Sequence, residues 1–358
     1  MALTSISLGE FRNHAGTTLD DAGAINLLVG PNGAGKTNVL EALSLLAPGR
    51  GLRRAQLADM ACQCGSGGFA VGATLAGDGP VRLGTFTDPA QPARRRVRVN
   101  GTEASAVGLA EWLSVGWLTP AMDGLFVAPA SERRRYLDRL ALALDPAHAG
   151  HAARYEAALR ERNRLIVGDH APDPRWLDAI EAQMAASGDA LASGRATLVE
   201  ALMRQVVRYP EDAFPRPALT YAAGGPVGAA QLSQALHDGR ARDRAAGRTL
   251  TGPHRDELEV SYPARRMAAA ACSTGEQKAL LIAITLAHAR LAAKDRPALL
   301  LLDEVAAHLD PGRRAALFAR LGESGTQVWV TGTELAPFEA VAGSAATWEI
   351  AAGEARRL

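Results

Sequence analysis

A glycine-rich loop between a short apolar run and a helical pattern constrains this chain more than any other feature of its sequence. Residues 25–29 (INLLV) are an apolar run of strand length, GPNGAGKTN follows at once, and residues 39–46 carry apolar side chains at helical spacing. The loop fits GxxxxGK[ST], in which glycines let successive backbone N–H groups turn toward a polyphosphate. The predicted nucleotide-binding residues are Gly30, Pro31, Asn32, Gly33, Ala34, Gly35, Lys36, Thr37 and Asn38.

Two side chains of this loop have predicted roles. Lys36 is expected to reach the β and γ phosphates as a point charge, at the positive dipole end of the following helix. The Thr37 hydroxyl is expected to ligate Mg²⁺. A plain glycine-rich turn is the alternative, and it is disfavoured because the chain has only three lysines, at positions 36, 278 and 294, against 36 arginines.

A second segment, residues 298–310 (ALLLLDEVAAHLD), places two carboxylates at the end of an apolar run of strand length. Acids at the carboxyl end of a buried strand lie at the ligand crevice of an open α/β sheet. Asp303 is therefore a candidate to hold Mg²⁺ through water, and Glu304 a candidate general base for an attacking water. An ordinary strand end is the alternative for this segment taken alone.

The segment CSTGEQKALLIAITLAHARL predicts a helix with a polar start that contains glycine. Ser273 or Thr274 is the expected N-cap, with Glu276 or Gln277 in capping-box range and apolar side chains following at helical spacing. Taken alone, the segment is equally consistent with an ordinary capped helix.

Composition places the chain among globular proteins of two to three structural units. It has 358 residues, 47% apolar and 22% charged, and its formal charge of +1 provides no global field to attract nucleic acid. No apolar run approaches the length of a membrane-spanning helix, and residues 1–10 lack the order of a signal peptide, so we expect a cytoplasmic protein without a membrane partner. Cys62, Cys64 and Cys272 indicate reduced thiols, with a metal site at the CxC pair as the less favoured alternative.

The order of GPNGAGKTN, STGEQ, LLLLDE and AHLD resembles the ABC-type ATPase family. The resemblance implies that ATP and Mg²⁺ lie between two copies of the chain, so that ATP binding forms a homodimer. The residues implied from one copy are Lys36, Thr37, Asp303 and Glu304. The signature loop, which contacts nucleotide on the other copy, is matched by Ser273, Thr274, Gly275, Glu276 and Gln277, and the loop at the dimer interface by Asp310.

Further landmarks narrow the resemblance to the RecF recombination and repair family. They are LGEFRNH near Arg12, WLTPAMDGLF from Trp117, SERRRYLDRL from Ser131, TGPHRDELEV from Thr251 and HLDPGRRAAL from His308. Members of this family are ATP-dependent DNA-binding proteins that help to load recombinase at single-strand gaps. The resemblance therefore implies a role in recombinational repair and replication-gap processing, with duplex or gapped DNA and the mediator RecR as partners.

The chain departs from transporter-type ABC proteins in its nucleotide-sensing residues. Those proteins carry a glutamine in the loop around residues 120–123 and a histidine after the last strand, where this chain has Asp123 and either Thr331 or Thr333. Ala307 stands where many relatives have serine in the interface loop. These departures predict slow ATP hydrolysis that acts as a switch.

The expected fold class is α/β, an ABC-type ATPase head with a mixed sheet and an antiparallel layer, into which a mostly helical lobe is inserted. The insertion is inferred because 237 residues separate Lys36 from Ser273. Short alternating runs within residues 68–100 predict antiparallel strands, and Asn100 and Gly101 predict a tight hairpin turn. The predicted domains are 1–115 (head, with the phosphate loop), 116–250 (helical lobe) and 251–358 (head, with the signature loop).

A heptad repeat marks the longest predicted helix of the lobe, within residues 173–209. Leu177, Met184, Leu191 and Leu198 recur at seven-residue spacing. The repeat predicts a helical hairpin packed on a neighbouring element, and an intermolecular coiled coil remains the alternative.

Arginine clusters are the expected source of DNA affinity because the chain as a whole is nearly neutral. They lie within residues 50–54, 94–98, 133–135 and 160–164, and solvated charged faces are the alternative interpretation. Binding through such clusters is expected to be salt-sensitive and largely independent of sequence. The candidate DNA contacts ranked first are Arg53, Arg54, Arg94, Arg95, Arg96 and Arg98.

The favoured functional hypothesis is an ATP-gated clamp: ATP closes a homodimer on DNA, and slow hydrolysis by Glu304 reopens it. An adaptor that binds ATP without turnover remains open, although the intact Glu304 argues against it. A transporter ATPase subunit is disfavoured by the missing glutamine and histidine and by the long insertion. The chemistry of the GPHRDE turn, residues 252–257, assigns it no role.

Overall fold

The computed structural model describes residues 3–63, 65–77, 79–168, 173–210, 212–306 and 309–358. Its strands are β1 (Leu3–Phe11), β2 (His14–Leu19), β3 (Ile25–Val29), β4 (Phe69–Leu75), β5 (Val81–Asp88), β6 (Gln91–Val99), β7 (Thr102–Ala104), β8 (Ser114–Leu118), β9 (Ala218–Ala222), β10 (Glu257–Tyr262), β11 (Met267–Ala268), β12 (Ala298–Leu302), β13 (Gln327–Gly332), β14 (Ala346–Ala351) and β15 (Glu354–Arg357). Its α-helices are α1 (Lys36–Ser44), α2 (Leu109–Trp112), α3 (Ala130–Leu144), α4 (Ala147–Val167), α5 (Pro174–Val206), α6 (Ala229–Asp238), α7 (Arg240–Ala246), α8 (Thr274–Ala292), α9 (Pro311–Gly322) and α10 (Glu339–Ala342).

The chain divides into two compact units. The first consists of Met1–Asp123, Glu211–Pro215 and Leu281–Leu358, and the second of Gly124–Pro210 and Arg216–Leu280. The phosphate loop and the carboxylates after β12 therefore belong to the first unit, whereas the signature loop belongs to the second. This division does not test the predicted domain borders near residues 115 and 250, which stay a prediction.

A six-stranded sheet of the first unit, with the order β15-β14-β3-β13-β12-β8, carries the phosphate loop. Five of its strands are parallel, and β15 is antiparallel to β14. All residues of β3 and β12 are buried, as expected for parallel strands that are covered on both faces. Because parallel strands end at the same edge, this sheet brings the loop after β3 and the carboxylates after β12 to one edge.

A second six-stranded sheet of the first unit is antiparallel and has the order β2-β1-β4-β5-β6-β7. It confirms the strands predicted within residues 68–100. The predicted hairpin turn joins β6 to β7, where Asn100 (φ 50°) and Gly101 (φ 84°) adopt the positive φ angles of a type I′ turn. Buried apolar residues of both sheets and of α1 form one core.

The second unit contains α3 to α7 and a three-stranded antiparallel sheet with the order β11-β10-β9. The heptad residues of α5 are buried, with Met184 fully so, and α5 packs against α4 and α6 of the same chain. This packing favours the helical hairpin over an intermolecular coiled coil. The strand β9 was not predicted, because residues 116–250 were expected to be mostly helical.

Arg162, from one of the arginine clusters, lies in the interior of the second unit. Its side chain is fully buried and donates to Glu181 at 2.9 Å and to Asp243 at 2.7 Å. A buried charge requires such partners, so Arg162 serves the packing of the lobe and not its surface. No helix in the described part of the chain is long and apolar enough to span a bilayer.

Candidate nucleotide site

The phosphate loop leads directly from β3 into α1, as the sequence predicts. Gly35 is the residue before the first turn of α1, and its φ of 116° lies in a region that side chains disfavour. A Cβ at Gly35 would lie 2.7 Å from His14 Nε2 and 2.8 Å from Asn13 Oδ1. Glycine is therefore required here both by the backbone conformation and by the close approach of β2 and the loop before it.

Lys36 lies at the base of the loop with a buried side chain. Its Nζ donates to the carbonyl oxygens of Gly30 at 2.7 Å and Pro31 at 2.9 Å. Burial lowers the pKa of Lys36, while the charges of Glu304 and Asp303 act in the opposite direction. The two carboxylates thus support the charged ammonium that phosphate binding requires.

Hydrogen bonds join the phosphate loop to the end of β12 through one carboxylate. Asp303 Oδ1 accepts from the Thr37 hydroxyl at 2.9 Å and from the Thr331 hydroxyl at 2.9 Å. The Glu304 N–H donates to Thr331 Oγ1 at 2.9 Å, and Glu304 has a φ of 53°, which is uncommon for a residue with a side chain. The structure therefore brings together the residues of the two motifs that the sequence predicts for one site.

Thr331 is the residue that links these groups across the sheet. It lies on β13, between β3 and β12, and is buried. Thr333, the other residue named at this position, is exposed. Thr331 is thus in contact with both carboxylate residues of the site.

The oxygen atoms of Thr37 and Asp303 suit a magnesium ion. A hydroxyl and a carboxylate are hard ligands, and Mg²⁺ in nucleotide sites takes its remaining ligands from phosphate and water. Among the described residues, no group of three or more His, Cys, Asp and Glu side chains forms a metal site. Cys62 is buried, and Cys64, the other residue of the CxC pair, lies outside the described residues.

Residues before and within β2 contact the backbone of the phosphate loop. The sequence did not predict a role for them. Asn13 Nδ2 donates to the Ala34 carbonyl at 2.9 Å, and the buried His14 lies 3.1 Å from the Gly35 carbonyl through Nε2. The turn between β14 and β15 adds a third contact, from the Gly353 N–H to the Ala34 carbonyl at 3.0 Å. The FRNH landmark was the available signal, but its partners are distant in sequence.

Arg53 and Arg12 lie beside α1 and share a buried carboxylate. Glu41 accepts from Arg12 at 2.8 and 2.9 Å and from Arg53 at 3.0 Å. Arg53 also donates to the side chain of Asn38 at 2.7 Å. These contacts hold Arg53 at the phosphate-loop helix with 41% of its side chain exposed, so its assignment as a DNA contact stays a prediction.

The signature residues form the start of α8 in the second unit. The Ser273 N–H donates to Glu276 Oε2 at 3.0 Å, and Ser273 Oγ accepts from the Glu276 N–H at 3.4 Å. This reciprocal pair is the predicted capping box, with Ser273 as N-cap. Ser273, Thr274 and Gly275 are exposed, whereas Gln277 is buried and donates to the Cys272 carbonyl at 2.9 Å.

Asp310 and Asp123 lie on segments of the first unit that follow strands of the parallel sheet. Asp310 caps α9 by accepting from the Arg313 N–H at 2.9 Å. Asp123 follows the short helical turn after β8, the strand next to β12. Ala307 and His308, part of the predicted interface loop, lie outside the described residues.

The arginines of β6 divide between two faces of the antiparallel sheet. Arg94 and Arg98 are exposed and Arg96 is half-buried, with Arg96 and Arg98 over the ring of Phe86 at 5.4 and 5.0 Å. Arg95 points to the opposite face. The structure thus leaves three arginines of this strand as candidate DNA contacts.

Arg95 is corrected from a DNA contact to a structural residue. Its guanidinium donates to Thr85 Oγ1 and to the carbonyls of Leu45, Ala47 and Gly49. Burial lowers its pKa to about 10. The alternation of β6 predicts this, because Arg95 shares its face with the buried Val97.

Comparisons with known proteins agree with this geometry. Residues 25–60 match the family described as "AAA domain, putative AbiEii toxin, Type IV TA system". The chain is 50% identical to the DNA replication and repair protein RecF of Mesorhizobium japonicum, over 96% of this chain and 94% of that one. It is 47% identical to the protein of the same name from Brucella suis, over 99% and 96%.

Two solved structures share the fold. A recombination mediator protein RecF with ATPrS matches with a TM-score of 0.86 and 20% identity, over 99% of this chain and 98% of that one. The SMC head domain from Pyrococcus furiosus matches with a TM-score of 0.58 and 16% identity, over 100% and 96%. Both matches confirm the predicted fold class of an ABC-type ATPase head.

Proposed function

Since the chain belongs to the RecF family, we propose that it is an ATP-dependent DNA-binding protein of recombinational repair and replication-gap processing. The observation that carries the proposal is the junction of Thr37, Asp303 and Thr331 at 2.9 Å, beside Lys36. This junction joins a phosphate loop to a strand-end carboxylate, which is the arrangement that nucleotide hydrolysis requires.

The residues of the first unit would bind Mg-ATP in defined roles. The N–H groups of the loop and the Lys36 ammonium would receive the phosphates. Thr37 and Asp303 would hold Mg²⁺, which when bound neutralises phosphate charge and helps to orient the γ-phosphate. Glu304 would accept the proton of the attacking water as general base.

We further propose that a second copy of the chain completes the site. Ser273 and Gly275 are exposed at the positive end of a 19-residue helix, a position that suits contact with the γ-phosphate of nucleotide on the other copy. Hydrolysis is proposed to be slow because Thr331 or Thr333, neither of which can titrate, is expected where transporter-type proteins use a histidine. Hydrolysis would then time the release of DNA.

DNA contact is proposed to involve the exposed face of β6. Arg94, Arg96 and Arg98 lie along one strand, and guanidinium groups can neutralise backbone phosphates. Arg96 also pairs with Glu103 at 3.4 Å, so Arg94 and Arg98 are the stronger candidates. Arg54 stays a further candidate. RecR as a protein partner and a cytoplasmic location remain parts of the proposal that rest on the family alone.

The proposal is tested by binding of the purified chain to a fluorescent gapped duplex. We expect at least roughly tenfold tighter binding with Mg-ATP than without nucleotide, a typical size for coupling between two sites. Ser273→Arg, which places a bulky cation in the proposed interface, is expected to remove the difference. Equal affinity with and without Mg-ATP in the unaltered chain would overturn the proposal.

A further inference from the structure

The GPHRDE turn is a rigid element of the second unit. His254 Nε2 lies 3.0 Å from the Thr249 carbonyl, and because a carbonyl only accepts, Nε2 carries the proton. Nδ1 then accepts from the Tyr155 hydroxyl at 2.8 Å. Both ring nitrogens are therefore committed to holding the turn in place.

Contacts with the loop that contains Gly224 hold the backbone of the turn in place. The Gly252 N–H donates to the Gly224 carbonyl at 3.0 Å, and the Gly224 N–H donates to Asp256 Oδ1 at 2.8 Å. A Cβ on Gly224 would lie 2.5 Å from the carbonyl carbon of Arg255. The backbone that carries Arg255 is thus fixed from both sides.

The two carboxylates of this turn, Asp256 and Glu257, are already paired with other arginines. Asp256 accepts from Arg195 at 2.7 Å and from the hydroxyl of Tyr221. Glu257 receives both Nε and NH2 of Arg133 at 2.7 Å. These carboxylates therefore have little capacity left to neutralise a further cation.

Among the described residues at this turn, two arginines lack such a partner. Arg255 is exposed at the tip of the turn, and Arg134 on α3 donates to the Asp256 carbonyl, the next residue, at 2.9 Å. Within the part of the chain that the structure describes, neither guanidinium forms an ion pair with a carboxylate. Burial lowers the pKa of Arg134 first and the charge of Arg195 lowers it further, while the charges of Glu257 and Asp256 raise it and that of Arg255 again lowers it.

We propose that Arg134 and Arg255 form a clip for a phosphate group of the DNA backbone, at a site separate from the nucleotide loop. The proposal rests on the DNA-binding function proposed above and adds a contact surface on the helical lobe. Arg134 donates to the backbone carbonyl of Asp256, the residue after Arg255, so the two guanidinium groups lie at one fixed turn. Neither forms an ion pair among the described residues, and guanidinium groups offer forked donors to phosphate oxygens. A contact with a backbone phosphate carries no information about the bases, so we expect binding through the clip to be independent of sequence.

A nucleotide would offer the same phosphate oxygens as DNA. Removal of the clip would affect ATP affinity differently for a DNA phosphate and for a nucleotide phosphate. A contact with the DNA backbone leaves ATP affinity unchanged, whereas a contact with nucleotide lowers it in the absence of DNA.

The test compares Arg255→Gln with Arg204→Gln, a matched control that removes one exposed arginine of α5 in the same unit. Binding to a fluorescent gapped duplex is measured with Mg-ATP at several salt concentrations, and ATP binding is measured separately. We expect Arg255→Gln to bind DNA roughly tenfold more weakly than the control and to lower the salt slope by about 0.9, the value for one phosphate. Arg255→Lys is expected to keep the slope but to recover only part of the affinity.

The outcomes separate this inference from the proposed function. Equal DNA affinity and salt slope for Arg255→Gln and Arg204→Gln would overturn the clip while leaving ATP-dependent DNA binding intact. Weaker ATP binding by Arg255→Gln without DNA would also overturn it, because the phosphate would then belong to nucleotide. The double variant Arg134→Gln/Arg255→Gln, with an unchanged unfolding midpoint, is expected to lose a further part of the affinity.

Discussion

Replacing Lys36 with alanine is expected to weaken Mg-ATP binding by about two to three orders of magnitude. Hydrogen bonds to charged groups contribute roughly 1.5–3 kcal/mol each, and every 1.4 kcal/mol corresponds to about tenfold in affinity. Lys36 is the buried cation of the phosphate loop, and its Nζ already lies at the loop carbonyls of Gly30 and Pro31. The measurement is a calorimetric or fluorescence titration with Mg-ATP.

Lys294→Ala is the matched control for this variant, because Lys294 is exposed after the end of α8 and lies outside the motifs of the site. The unfolding midpoints of both variants should agree with that of the unaltered chain. An affinity of Lys36→Ala within about threefold of the control would contradict the assignment of the loop.

Replacing Glu304 with glutamine is expected to reduce ATP hydrolysis by about 10²–10⁴-fold, the usual contribution of a general base. Glutamine has the same shape but does not accept the proton of the attacking water. The change leaves Lys36, Thr37 and Asp303 in place, so ATP binding should be retained. Phosphate release in single-turnover conditions, together with ATP affinity, measures the two effects separately.

The same variant separates the two functional hypotheses. Glu323→Gln, an exposed carboxylate at the end of α9, provides the control. If Glu304→Gln and the control release phosphate at the same rate, Glu304 is not the base. That result would favour an adaptor that binds ATP without using its hydrolysis.

The nucleotide site was predictable where its residues follow local patterns. A strand, a glycine loop and a helix are contiguous in residues 25–46, and the carboxylates follow their own apolar strand. Parallel pairing of β3, β13 and β12 brings the ends of the two segments to one edge of the sheet. Ser273 and Glu276 were likewise identifiable as a capping box because they are three residues apart.

The support of the site was not predictable, because its contacts join residues that are distant in sequence. Asn13 contacts Ala34, and Gly353 reaches the same carbonyl from the other end of the chain. Which strands flank a loop is decided by sheet order, and a single sequence does not specify that order. The FRNH landmark could be recognised in the sequence, but its contacts could not be predicted from it.

Arginine clusters show a second limit of sequence reasoning. Charge alone grouped Arg95 with Arg94, whereas the alternation of β6 places them on opposite faces. Arg162 was grouped with its neighbours on α4 and is fully buried in an ion-pair network. Burial depends on the partner element, and so the assignment of a cation to the surface needs the packed structure.

The second unit contains one feature that the sequence predicts and one that it does not. The heptad repeat of α5 predicts a buried seam, and Met184 and Leu191 lie in it. The strand β9 was not predicted, because it is a five-residue strand that pairs with β10 only after a gap of 34 residues. Its pairing sets the position of the GPHRDE turn, which explains why the sequence alone assigned that turn no role.

The central claim is that ATP joins two copies of the chain through the signature loop of each. The most direct measurement is the mass of Glu304→Gln in solution by light scattering at saturating Mg-ATP. We predict the mass of two 37.5 kDa chains with Mg-ATP and of one chain without it. Adding Ser273→Arg is predicted to restore the mass of one chain while ATP stays bound. Ser273→Ala, which removes the cap without adding bulk, should affect dimerisation less than Ser273→Arg. A single-chain mass for Glu304→Gln at saturating Mg-ATP, or a dimer that tolerates Ser273→Arg, would contradict the account.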